Sequence, residues 1–137
     1  MSLPTTNEII EDLDFFDDWE DRYKYIIDLG RDLPKMDESL FTPERLVKGC
    51  QSNVWIDVQV RDGRLQFAVD SDAIIVRGLL ALVMAAYQNK TASEILSFDI
   101  DEYFSKLDLE RHLSPTRGNG LRAMVARILA SAESFAS

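Results

Sequence analysis

Residues 54–71 read VWIDVQVRDGRLQFAVDS. Val54, Ile56, Val58 and Val60 alternate with Trp55, Asp57 and Gln59, the period-2 pattern of a strand with one buried face. Asp62-Gly63 is a strong signal for a two-residue hairpin turn, because both central positions of a type I′ turn need positive φ. Leu65, Phe67 and Val69 then alternate with Gln66 and Ala68. A two-residue turn pairs Val60 with Leu65, Val58 with Phe67 and Ile56 with Val69, all on one face. Turn chemistry and binary pattern therefore give the same register. Trp55 falls on the opposite face, near Asp70.

Outward from the hairpin the periodicity turns helical. Ala73 to Tyr87 is apolar nearly all round and too long for a strand, so it predicts a central buried helix, with Asp70 or Ser71 capping its first turn. On the N-terminal side, Thr5-Thr6-Asn7-Glu8 has the capping-box pattern and leads into Ile9, Ile10, Leu13 and Phe16 at helical spacing. A second helix starts near Asp17 or Asp18, carries Trp19, Tyr23, Ile26 and Ile27 on one stripe, and has Gly30 as a natural stop. Pro34 to Leu40 reads as a loop, and Thr42-Pro43 opens a short turn through Val47. On the C-terminal side, Thr91 to Glu94 is a second capping box. Asp99 or Asp101 opens a helix with Tyr103, Phe104 and Leu107. Ser114 to Gly120 reads as a polar, glycine-rich approach to a last helix, whose stripe is Leu121, Met124, Val125, Ile128, Leu129 and Ala132. The sum is an α+β fold: a small antiparallel sheet covered by helices. Two strands are placed. A third is expected, because a lone hairpin is marginal, but no pattern locates it.

At 137 residues, 46% hydrophobic and 28% charged, the chain reads as one domain spanning residues 1–137, large enough to bury a core without staples. Its formal net charge is −9. No Lys or Arg precedes Arg22, and acidic residues from Glu8 to Asp21 crowd that stretch. Such a balance repels phosphate backbones and anionic lipid, which argues against nucleic-acid and membrane binding. The acidic stretch suits either a solvated helix face or attraction to a basic protein partner. No secretory signal pattern and no apolar run near 20 residues is present, so a cytoplasmic location is expected. A single cysteine makes no internal disulfide, in keeping with a reducing compartment.

That cysteine, Cys50, lies in VKGCQSNVW, residues 47–55. It precedes the alternating strand instead of occupying an inward position in it. Gly49 adds backbone freedom and polar Gln51, Ser52 and Asn53 follow. Arg45 and Lys48 are close in sequence, and neighbouring cations favour a thiolate. Cys50 is thus either a small buried hydrophobe or a reactive group on a mobile loop. The one histidine, His112, is far along the chain, which makes a Cys–His dyad a weak reading beside a structural histidine. One Cys and one His do not form a zinc site, and C-x-x-C redox chemistry is excluded for want of a second cysteine. Arg117, before the last helix, is the natural partner for an anion there. Asp70 and Asp72 read as helix caps more simply than as paired carboxylates. Trp55 is a partner anchor if exposed and core if covered.

Taken in order, these segments resemble the SufE family. The resemblance is carried by Gly49-Cys50-Gln51-Ser52 with Val54-Trp55, by Asp70-Ser71-Asp72-Ala73 leading into Val76-Arg77-Gly78-Leu79, and by Leu113-Ser114-Pro115-Thr116-Arg117 with Gly120-Leu121. Trp19-Glu20, Tyr23, Ile26 to Gly30 and Leu33-Pro34 match its N-terminal part, and the first eighteen residues carry little of it. The resemblance implies a fold related to NifU-like cluster scaffolds. It implies a sulfur acceptor that stimulates a pyridoxal-phosphate-dependent cysteine desulfurase of SufS type, takes its persulfide sulfur on Cys50 and passes it to a SufBCD-like iron–sulfur scaffold. Pyridoxal phosphate would belong to the partner, with no cofactor or metal held here, and the chain would be no stand-alone enzyme. Gly49, Gln51, Asp72 and Arg117 would serve the cysteine loop and the partner contact. A monomer or weak homodimer is expected. The competing class is a thiol redox sensor, or a regulatory interaction module, using Cys50.

Overall fold

The hairpin forms in the expected register. In the computed structural model, which describes residues 3–136, β1 (Val54–Arg61) and β2 (Arg64–Ser71) pair antiparallel with Val60 opposite Leu65, Val58 opposite Phe67 and Ile56 opposite Val69. Asp62 and Gly63 both have positive φ, as the tight turn requires. Among the described residues there are six α-helices: α1 (Thr6–Phe15), α2 (Trp19–Arg31), α3 (Ile74–Tyr87), α4 (Ala92–Ser97), α5 (Ile100–Lys106) and α6 (Pro115–Ala136). The architecture is α+β.

The expected third strand is absent among the described residues, where the sheet is two-stranded. Shorter devices occupy its edges. The outer edge of β2 is satisfied by Gln88, whose amide oxygen accepts from Phe67 N–H at 2.7 Å and whose amide nitrogen donates to Phe67 O at 2.8 Å. Leu65 N–H donates to Lys90 O at 2.8 Å. On β1, Val47 N–H donates to Val54 O at 2.8 Å beside a single bridge from Leu46 to Trp55. The hairpin is stable because one face packs on α3, so no further strand is needed.

Side-chain caps start most helices as the sequence predicts. Thr5 with Glu8 and Thr91 with Glu94 form complete capping boxes, Asp18 accepts from Asp21 N–H, and Asp99 accepts from Glu102 N–H. α3 differs. Its N-cap is Ala73, with no side-chain cap. Ser71 Oγ accepts only from Ala73 N–H at 3.2 Å, and Asp70 is committed elsewhere. Asp70 is buried, pairs with Arg77 of α3, and accepts from Met36 N–H at 3.1 Å and Ser71 N–H at 2.8 Å. Arg77 then donates to the carbonyls of Gly30 at 3.1 Å and Leu33 at 3.0 Å. The start of α3 is held by this ion pair instead of a cap.

Gly30 is not a helix stop, since α2 continues to Arg31. Its role is contact. A Cβ on Gly30 would lie 2.5 Å from Gly78 N, and one on Gly78 would lie 2.5 Å from Ile26 O. The two glycines let the backbones of α2 and α3 touch, which brings Ile26 and Leu29 onto Leu79 and Leu82 in one core. α3 is buried on nearly every side from Gly78 onward, as its apolar sequence after Arg77 demands.

Pro115 to Gly120 is already helix, not an approach to one, and Ser114 lies just before it. Pro115 is the first residue of α6, where its missing N–H costs nothing, and Ser114 Oγ accepts from Arg117 N–H at 3.2 Å. Among the described residues, no helix is long and apolar enough to cross a membrane.

The α2–α3 crossing makes a testable demand. Gly78→Ala should destabilise by roughly 1–3 kcal/mol through overpacking against backbone, although alanine's helix preference alone is worth about 1 kcal/mol the other way. A urea titration followed by far-UV circular dichroism checks this; a midpoint equal to or above that of the parent would contradict the contact.

Candidate functional site

Cys50 sits on a loop between two pinned ends. Upstream, Val47 is buried and bonded to Val54; downstream, Asn53 N–H donates to Asp72 Oδ1 at 3.2 Å, and Asp72 N–H returns to Asn53 O at 3.4 Å. Between them Lys48 and Gly49 make a turn, and residues 48–52 join no helix or strand. Gly49 has φ +98°, a left-handed conformation that L side chains rarely adopt. This turn aims the Cys50 side chain back at α6, where Sγ lies 3.5 Å from Gly120 O.

The thiol lines a cavity of about 270 Å³. Its apolar wall is Val76 and Leu79 from α3 and Met124 from α6; its polar rim includes Gln51 and Arg117. Three separate stretches of sequence meet here because α3 and α6 pack together and the cysteine loop lies across them. Gly120 lies directly against the thiol: a Cβ there would make ordinary contact with Cys50 Sγ at 3.5 Å.

Electrostatics at this seat run opposite to the sequence expectation. Arg45 does not approach the thiol; its Nε is paired with Asp57 at 2.8 Å and Nη1 with Thr42 Oγ1 at 2.8 Å. Lys48 is exposed and lines a different groove. Burial alone acts on Cys50, and it pushes the thiol pKa up. Cys50 therefore rests as a sheltered, protonated thiol.

The other singled-out residues divide plainly. Gln51 and Arg117 share the Cys50 cavity, Gly49 shapes the loop, and Asp72 holds the loop's downstream end. His112 does not line the cavity. Its ring stacks on Trp19 with centroids 4.0 Å apart, Nδ1 lies 3.1 Å from Asp108 O, and its carbonyl accepts from Tyr23 Oη at 2.6 Å. That is a structural histidine. Trp55 is half-buried under Phe41, stacked at 4.4 Å. No cluster of three or more metal-ligating side chains occurs among the described residues. Sequence reasoning missed Val76, Leu79 and Met124 as the cavity wall and Gly120 as the thiol's acceptor. The small residues Gly120 and Ala123 at helical spacing on an otherwise bulky stripe were the available signal.

A family model described as the Fe–S metabolism associated domain SufE matches residues 7–132. The chain belongs to the SufE family. Two curated relatives agree. An uncharacterized SufE-like protein of Rhizobium etli is 48% identical over 132 residues, covering 93% of this chain and 89% of the relative. Another from Rhizobium meliloti is 46% identical over 135 residues, covering 96% of each. Among solved structures, a hypothetical protein from Thermus thermophilus, determined in solution, superposes with a TM-score of 0.78 over 98% of both chains. At 18% identity that likeness speaks for the fold alone. SufE membership gives the chain a role in iron–sulfur metabolism and implies interaction with a cysteine desulfurase there.

The half-buried thiol makes its own prediction. The folded state favours the protonated form, so Cys50's contribution to stability is complete below the ordinary thiol value of about 8.5 and is lost as pH rises through the higher folded value. Iodoacetamide should modify the native protein more slowly at pH 7.5 than the urea-unfolded chain, with a rate-against-pH midpoint above that of the unfolded chain. Equal rates and midpoints would mean that the seat does not shelter the thiol.

Proposed function

We propose that this SufE-family chain is a covalent sulfur carrier. Cys50 takes persulfide sulfur from a SufS-type cysteine desulfurase, relieving and so stimulating that enzyme, and hands it on to a SufBCD-like scaffold for cluster assembly. The observation that carries the reading is the placing of the only thiol: seated over a cavity, protonated at rest, yet on a loop that belongs to no helix or strand. A carrier needs both properties. The cargo must be sheltered from solvent, and the carrying atom must leave its seat to meet the donor.

The step balances without an added oxidant. The Cys50 thiolate attacks the outer sulfur of the partner's cysteine persulfide. A new S–S bond forms on Cys50 as the partner's S–S bond breaks, and the electron pair leaves on the partner's cysteine sulfur, which takes up the proton that Cys50 released. Pyridoxal-phosphate chemistry is the partner's part. This chain supplies the acceptor thiol, the loop that presents it, and the seat to which the loaded sulfur returns; Gly49, Gln51, Asp72 and Arg117 shape that loop and its approach to the partner. The raised thiol pKa runs against a peroxide sensor, which needs an exposed thiolate.

Intact mass without reductant, after incubation with a SufS-type desulfurase and L-cysteine, tests the reading. The parent chain should gain the mass of a sulfur atom and Cys50→Ser should not. No gain from a desulfurase shown to be active would sink the proposal, and rapid oxidation of Cys50 by peroxide alone would favour the sensor.

A further inference from the structure

One face of α6 carries the cysteine loop from tip to base. Gly120 lies under the Cys50 thiol at 3.5 Å. Ala123, three positions on, lies beneath Gly49, where an added Cβ would meet the Ala123 Cβ at 3.3 Å. Arg127, four further, reaches the loop's base. Its Nη1 donates to Leu46 O at 3.1 Å and its Nη2 donates to Glu44 O at 2.8 Å. The guanidinium fork is directed at two main-chain carbonyls just upstream of the loop, and no carboxylate lies within ion-pair distance of it among the described residues. Beside it, Val47 bonds Val54 and Arg45 bonds Asp57, so the chain up to Val47 is tied to both β1 and α6.

We propose that Arg127 is a positioning residue for Cys50: its two bonds to Glu44 and Leu46 pin the upstream side of the cysteine loop's neck to α6, fixing both the resting seat of the thiol and its reach when the loop opens. The sulfur-transfer part of this rests on the carrier function proposed above; the seating part does not. Cys50 lies three residues beyond Val47, so a pinned neck limits its excursion to roughly 10 Å. The thiol's own contacts are weak, one long sulfur bond and van der Waals packing. The seat is therefore held mainly by the geometry of the neck. An open neck adds conformations to the displaced loop, which favours displacement while scattering the directions in which the thiol points. Loss of Arg127 should then act in opposite senses on two readouts, raising nonspecific access to Cys50 and lowering its productive delivery to a partner.

The test compares Arg127→Met, Arg127→Lys and, as a core control on the same helix, Ile128→Val. Iodoacetamide modification of Cys50 is followed on each folded protein well below its melting temperature, with desulfurase-coupled sulfur acceptance measured alongside. Arg127→Met should be alkylated roughly tenfold faster than the parent, as two charge-assisted bonds are lost. It should also show a raised KM as acceptor with kcat little changed. Arg127→Lys, which keeps the charge on a single donor nitrogen but loses the fork, should fall between, and it carries the comparison if the methionine variant does not fold. Ile128→Val should lower the melting temperature without changing the alkylation rate. Parental alkylation in the Arg127 variants, or an equal rise in Ile128→Val, would overturn the proposal. Failure of the parent chain to accept sulfur would overturn the carrier function instead, leaving the alkylation comparison to decide the role of Arg127.

Discussion

The ion pair between buried Asp70 and part-buried Arg77 is the interaction on which most of this structure depends. It joins the end of β2 to the start of α3, and through Arg77's bonds to Gly30 and Leu33 it also holds the C-terminal end of α2. Asp70's further bond to Met36 draws in the segment that leaves α2. Desolvating two charges is costly, and only a full set of partners makes such a pair tolerable. Here Asp70 accepts three hydrogen bonds and Arg77 donates three. Removing one member would strand the other, at a cost of roughly 3–5 kcal/mol. The pair also sits where α2 and α3 touch through Gly30 and Gly78. Polar specificity and close backbone packing therefore fix the same crossing, and that crossing sets where Val76 and Leu79 project into the thiol's cavity.

From this frame the site follows by addition. α3 supplies an apolar wall, α6 a stripe of small residues, and the chain between Val47 and Asn53 crosses above them with its ends tied. The frame is tied by helix packing and strand pairing, whereas residues 48–52 belong to neither helix nor strand. A loop of this kind opens locally without disturbing the sheet or helices that define its seat.

The hairpin was legible because two independent signals, the Asp62-Gly63 turn and the alternation on both flanks, demand one register. Helix starts at Thr5, Asp18, Thr91 and Asp99 were legible because capping is a local interaction. What could not be read was long-range. Gly30 has the local look of a helix stop, and only the approach of Gly78, 48 positions away, shows why a side chain is forbidden there. Asp70 looks like a cap until Arg77 and Met36 claim its oxygens. The third strand was expected on a rule about hairpins that helix packing and the Gln88 side chain satisfy in another way. Cys50 stood out by its position relative to the strand, but its electrostatics were misjudged. Arg45 is near in sequence and yet aimed at Asp57, leaving burial as the influence on the thiol.

That last point shapes how the proposed chemistry must run. A thiol with a raised pKa is a poor nucleophile in its seat, and lowering the pKa there would expose the carrier to oxidants between transfers. Sheltering and reactivity are reconciled if they belong to different positions of one loop. In the seat, burial keeps Cys50 protonated; displaced into water or into a partner's site, it loses that penalty and ionises more readily. Opening and activation then become a single event. A partner that binds the displaced loop more tightly than the seated one drives both, and roughly 3 kcal/mol of such preference would raise a displaced population of about 1% to about half. Residues 48–52 belong to no helix or strand, so none has to break for this displacement. The sequence features that make it possible are modest: a glycine before the cysteine, a glycine under it, and no strand pairing between Lys48 and Ser52.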